Sequence, residues 1–303
     1  MNLFYNYIVY LNKRIFKFNI TVMKAIKIFS VIIVTLLFVT ASFAQILLKE
    51  QTVQTSYGKN LKVNVPAGDV NIKTWSKEEV YVKITGNDEA KNKFDFRVNS
   101  SSGDVEVIAE EINKDIKGKL SLDVEISVPD RFNAKVSTAG GDIKVENSLN
   151  GKLKFNTAGG DIAISSISGE CLLNTAGGDI SVQSFMGDIK VNTAGGNIKL
   201  NGSDGKVKAN TAGGNIELKY SGENKGTEIN SMGGNIELTV PTGFQADCKL
   251  STMGGEIKSE IFIEGSKEKE KTEGVKIIKG KMNGGGKELK CSTMGGNIKI
   301  YSY

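Results

Sequence analysis

The 303-residue chain carries 39 Lys and Arg against 34 Asp and Glu, three Cys and no His. Without histidine there are no His-dependent triads and no His metal ligands, and Cys171, Cys248 and Cys291 are too few and too scattered for a disulfide framework or a zinc site. All five surplus positive charges fall within residues 1–44, so the remainder is formally neutral, with no net charge to drive binding to nucleic acid or anionic lipid.

Residues 1–44 read as a cleaved secretory signal. Lys13, Arg14, Lys17, Lys24 and Lys27 come first, the apolar run Ile28 to Val39 follows, and Ala41-Ser42-Phe43-Ala44 supplies the small residues before Gln45. The run is short for a membrane span, and Met23 is an alternative start. The mature chain is therefore expected outside the cytoplasm: periplasmic, on the outer surface or extracellular.

Residues 45–130 form an irregular leader. Val80 to Ile84 and Leu120 to Ile126 alternate apolar and polar residues, the pattern of strands, with Trp75 expected to pack between them. Val63 to Ile72 and Ser102 to Val107 read as degenerate copies of the later repeat. The leader is expected to form wider early coils that seal the open end of a stack. Asp88 to Lys93 reads as an exposed loop or a short helix.

Residues 131–303 repeat one motif, Asn-Thr-Ala-Gly-Gly-Asx-Ile. The second Gly recurs at 141, 160, 178, 196, 214, 234, 255 and 296, in steps of 18 to 21 with a last step of 41. Single glycines at 151, 169, 187 and 205 halve the period, and each half carries a run such as Ile162-Ala163-Ile164 or Ile189-Lys190-Val191. Apolar residues two apart have strand periodicity. Strands this short bury their apolar faces only by stacking like residue on like, at ~4.8 Å per layer. The expected fold is an all-β, single right-handed parallel β-solenoid of about 18–20 residues per coil. Gly178 and its equivalents are expected to supply positive-φ turns.

Pro66, Pro129 and Pro241 each follow a valine and mark corners, since proline donates no ladder hydrogen bond. The leader pattern Val65-Pro66-Ala67-Gly68-Asp69-Val70, and Glu125-Ile126-Ser127-Val128-Pro129 running into Gly-Gly-Asp-Ile repeats, resemble the bacterial putative-adhesin family. That family comprises exported β-repeat proteins without established catalytic residues. The resemblance covers most of residues 60–303 and implies a non-catalytic envelope protein, adhesin-like, with no catalytic, cofactor or metal residues to carry over.

Four columns of the repeat invite functional readings. The Asx column (Asp142, Asp161, Asp179, Asn197, Asn215, Asn235, Glu256, Asn297) suggests calcium, as in β-rolls. Its change from Asp to Asn fits turn hydrogen bonding better. The Asn column (Asn156, Asn174, Asn192, Asn210, Asn230) and the Thr column (Thr157, Thr175, Thr193, Thr211) suggest ladders between coils, or a flat array for sugar. Ala139, Ala158, Ala176, Ala194 and Ala212 give way to Met232, Met253 and Met294. That column either widens the coil, if inward, or makes an apolar patch, if outward. A carbohydrate-active β-helix enzyme is the alternative, with Glu146, Glu170, Asp188 and Asp204 as its available acids. Expected partners are a glycan, a wall component or an envelope protein.

Overall fold

The computed structural model describes residues 45–303 apart from 116–117, 267–268 and 271–273; the expected signal segment, 1–44, lies outside the described residues. Every regular element described is a strand except the six-residue helix Asp88–Lys93, whose N-terminus is capped by the Asn87 side chain.

One layer shows how the rest are built. The strand Ile162–Asn174 buries Ile162, Ile164, Ile167, Cys171 and Leu173 and turns Ala163 and Glu170 outward. It bends at Gly169, whose φ of 119° is one that a residue with a Cβ resists. Two faces result, enclosing a core one side chain deep on each side. Parallel pairing then sets like on like. Ile143, Ile162, Ile180, Ile198, Ile216 and Ile236 form one column, and Phe155, Leu173, Val191, Ala209 and Ile229 form the column on the other face. All of these are 0–1% exposed. The solenoid-like stack is thus held by apolar columns that run from layer to layer.

The corner Thr-Ala-Gly-Gly is held by buried hydrogen bonds. Thr175 Oγ1 donates to the Gly160 carbonyl of the layer before at 2.8 Å and accepts the N–H of Gly178 in its own layer at 3.2 Å. Thr157, Thr193 and Thr211 repeat both bonds. Gly178 does not have positive φ, which corrects the expectation for that column. Its requirement is closeness: a Cβ there would lie 2.1 Å from the Gly160 carbonyl oxygen.

Chain order and layer order part company at both ends. Asn60–Asn64 lies between Asp104–Glu111 and Asn133–Ser137, and Asp69–Trp75 lies between Leu122–Pro129 and Ile143–Asn156. The leader's outer strands are not wider parallel coils. Ile46–Gln54, Glu79–Gly86 and Phe94–Ser101 pair antiparallel. Trp75 does not sit between Val80–Ile84 and Leu122–Ile126, which pair directly; it is half-buried and donates its indole N–H to the Glu79 carbonyl at 2.8 Å. At the other end Ile298–Ser302 slots between Ile236–Val240 and Ile257–Ser259, and Lys276–Met282 pairs antiparallel with Ala246–Thr252. The 41-residue step is therefore an excursion around the outermost layer and back. The strand Ile298–Ser302 thereby gains a neighbour on both sides in place of an open edge.

Candidate functional site

Outward residues of the face built on Lys152–Asn156 and its equivalents line a groove of about 900 Å³. It runs over eight successive layers, from Asn60–Lys62 through Lys152–Lys154 and Asp188–Lys190 to Glu288. At ~4.8 Å per layer its length is roughly 34 Å. Strand pairing fixes the columns along it, because side chains two apart share a face and each layer repeats the last. Lys62, Lys135, Lys154, Leu172, Lys190, Lys208 and Glu228 are consecutive neighbours in one such column. The lining holds eight lysines and four carboxylates, leaving four positive charges on a chain that is formally neutral beyond residue 44.

Glu228 is the best-held charge in the groove. Lys208 lies 2.7 Å and Lys290 3.0 Å from its carboxylate, and their hydrogen bonds pull its pKa down to about 2. A depressed carboxylate pKa contributes stability that is present above the unfolded value, ~4.3, and is lost as pH falls toward the folded value. The side chain is 32% exposed, so solvent screening keeps the contribution small. Glu228→Gln is expected to cost about 1 kcal/mol at pH 7 and to flatten the acid loss of stability between about pH 5 and pH 2 in urea unfolding.

The column residues named from the sequence fall as follows. One side-chain oxygen of each Asx is engaged: Asp142 Oδ1 accepts the Asp161 N–H at 2.7 Å, Asp161 Oδ1 that of Asp179 at 2.7 Å, and Asp179 Oδ1 that of Asn197 at 2.6 Å. The series continues through Asn215, Asn235 and Asn297 to Glu256. The column is a backbone clamp, and among the described residues no three Asp, Glu, Cys or His gather as a metal site. The Asn column is an amide ladder, Asn174 Nδ2 to Asn156 Oδ1 at 2.8 Å and onward to Asn230. The Thr column is buried and bonds to backbone, so it offers no outer array for sugar. The Ala and Met column points outward: Met232, Met253 and Met294 are 51–53% exposed.

The acids do not assemble a catalytic pair. Glu146 lies on the opposite face, where Lys144 and Asn71 hold its pKa below the ordinary value. Asp204 ends a layer at positive φ, hydrogen-bonded by Ser203. Glu170 and Asp188 are neighbours in the groove, yet both are exposed, and Lys152 pairs with Glu170 at 3.3 Å. Nothing buries one of them to keep it protonated as a general acid. Cys171, beneath the groove, is buried with its thiol pKa pushed up to about 12, too high for a thiolate nucleophile. All three cysteines are free and occupy core columns. Sequence reasoning missed Tyr220, wholly buried and hydrogen-bonded to Gly205 and Glu223; its only signal is a Tyr where the layer before has Gly202.

A family model for Toastrack DUF4097 matches residues 26–152 and 134–301. The chain belongs to the Toastrack DUF4097 family. The resemblance to putative adhesins seen in the leader and repeat motifs agrees with this assignment. Among solved structures, this Toastrack chain is similar to a putative adhesin from Bacteroides fragilis, at 15% identity, 84% of this chain, 96% of that one and TM-score 0.37. It is also similar to a putative adhesin from Parabacteroides distasonis, at 12% identity, 85% and 98% coverage and TM-score 0.34. A putative lipid binding protein from Parabacteroides distasonis matches at 11% identity, 83% and 96% coverage and TM-score 0.29. At these scores the likenesses speak to neither ligand nor role. No curated protein matches the Toastrack chain significantly.

Proposed function

We propose that the protein is an exported, non-catalytic, adhesin-like binding protein whose groove face holds an extended glycan of the cell envelope. The observation that carries this reading is the groove's shape: eight layers of outward side chains along one face, far longer than a small-molecule pocket needs. Stiffness supports it, since columns locked by the buried threonine hydrogen bonds hold their spacing without a ligand and lower the ordering cost of binding. The solvent exposure of Glu170 and Asp188, and the lysines paired with Glu170 and Glu228, support a binding rather than a catalytic role. In this reading residues 1–44 are the cleaved signal, 45–130 the capping leader and 131–303 the regular repeats. The coil is right-handed with about 18–20 residues per turn, as parallel crossovers favour. Among the described residues no helix is long and apolar enough to cross a membrane.

The test is an array of neutral and acidic glycans probed with the wild type and with Leu172→Trp. Leu172 is an outward residue on the groove floor between Lys154 and Lys190, so a Trp there fills the groove without touching the core. Glycan binding by the wild type that Leu172→Trp abolishes, with melting unchanged, is the expected result. Binding that ignores this substitution, or no binding to any glycan, overturns the reading.

A further inference from the structure

We infer that the groove's ligand is a linear acidic polysaccharide, recognised through unpaired lysines. This deepens the groove reading above and rests on it. The two faces of the stack treat charge differently. On the face opposite the groove lysines find acids: Lys144 pairs with Glu146 at 2.9 Å, Lys199 with Glu217 at 2.9 Å and Lys299 with Glu237 at 3.8 Å, and Lys258, which neighbours Lys299, pairs with Glu256 at 2.7 Å. On the groove face Lys152 has Glu170 beside it, but along the Lys154 column lysine is set beside lysine. Lys62 neighbours Lys135, Lys135 neighbours Lys154, and Lys190 neighbours Lys208.

Like charges directly opposite each other in adjacent strands are destabilising. Interspersed acids would remove that cost, as they do on the other face. Lys62 and Lys208 have such relief, from Glu106 and Glu228. Among the described residues Lys135, Lys154, Lys190 and Lys206 have no carboxylate within ion-pair distance. The unrelieved charges recur every one or two layers, ~5–10 Å apart, which suits a polymer carrying a charge on successive sugar units.

The rest of the surface selects among polyanions. No aromatic side chain lines the groove, so there is no platform on which nucleobases stack. Two residues further along each strand the Asn ladder is half-buried. Asn174, Asn192 and Asn210 each donate one N–H to the ladder neighbour and keep a second for an incoming hydroxyl, a group that sugars supply in every unit; Asn230 also donates to Glu228.

The experiment measures binding of size-defined polygalacturonate, neutral dextran and single-stranded RNA by calorimetry, at low and at physiological salt. It compares wild type, the triple Lys135→Ala, Lys154→Ala, Lys190→Ala, and the opposite-face triple Lys144→Ala, Lys199→Ala, Lys299→Ala. Polygalacturonate is expected to bind, to weaken with salt, and to lose about tenfold or more in affinity in the groove triple only. The groove triple is also expected to melt no lower than wild type, because it removes repulsion. Polygalacturonate binding that the groove triple leaves intact overturns the inference, as does dextran or RNA binding equally well. If a neutral glycan binds in a manner that Leu172→Trp abolishes and the lysine triple does not alter, the groove reading stands and the acidic ligand is wrong. If neither substitution affects binding, both fall.

Discussion

Gly178→Val is expected to be the most damaging single substitution in the repeat region, costing about 4 kcal/mol or more and leaving little folded protein. The reason is distance. Layers at this corner approach so closely that a Cβ on Gly178 meets the Gly160 carbonyl oxygen at 2.1 Å, with the carbonyl carbon at 2.5 Å. Neither atom is free to move, since Thr175 Oγ1 donates to that same oxygen. Any side chain therefore forces two layers apart and breaks the buried threonine bonds with them. The neighbouring Gly177 is the control. A Cβ there would find nothing nearer than 3.6 Å, and its φ is not positive. Gly177→Ala is expected to be neutral or stabilising by about 0.5 kcal/mol, through the unfolded chain. Asp179→Asn is expected to lie within about 0.5 kcal/mol of wild type, because Asn197 accepts the same backbone N–H one layer on. Urea midpoints of the three variants check the order. A Gly178→Val protein as stable as Gly177→Ala would mean that the layers are not in contact at this corner.

That pair of glycines also shows what the sequence carries and what it withholds. Repetition declares lateral neighbours directly: residues alike at a fixed step stack on one another, so the isoleucine column and the Asn ladder were legible. Repetition does not say why a residue recurs. Gly177 and Gly178 look equivalent in the motif, and only coordinates separate the one pressed against a backbone from the one with room for a methyl group at ordinary contact distance. Nor does it say which side of a turn a residue takes, so the Ala and Met column was ambiguous until its exposure was seen. The ends were the hardest part. Ile257 and Ile298 match Ile236 equally well, and sequence order favours Ile257, yet Ile298 is the residue that pairs with it. Layer order there is set by the need to hide an edge, a property of the whole stack rather than of any motif. The groove was invisible for a related reason. Its lysines are scattered along the chain from Lys62 to Lys225, and only the register sets Lys135 beside Lys154.

Ile180→Asp tests the stack from inside. Ile180 is 1% exposed, with Ile162 and Ile198 directly beside it in the neighbouring layers. A carboxylate there has no water and, with an isoleucine on each side, no hydrogen-bond donor in its own column. Burying it or protonating it costs several kcal/mol, and the lost isoleucine packing adds to that. We expect about 4 kcal/mol in total. Two companions separate burial from mere disturbance of the strand. Ile180→Val keeps the column apolar and is expected to cost about 1 kcal/mol. Ala163→Asp adds the same carboxylate on the preceding layer but pointing outward, beside Lys144, and is expected to lie within about 0.5 kcal/mol of wild type. Layers in such a stack contact only their neighbours, so damage at Ile180 interrupts the column between the leader end and the C-terminal end. Hydrogen exchange should therefore show protection lost first in the layers around Ile162, Ile180 and Ile198. Equal sensitivity at Ile180 and Ala163 would place both on the surface and remove the column on which the groove's register depends.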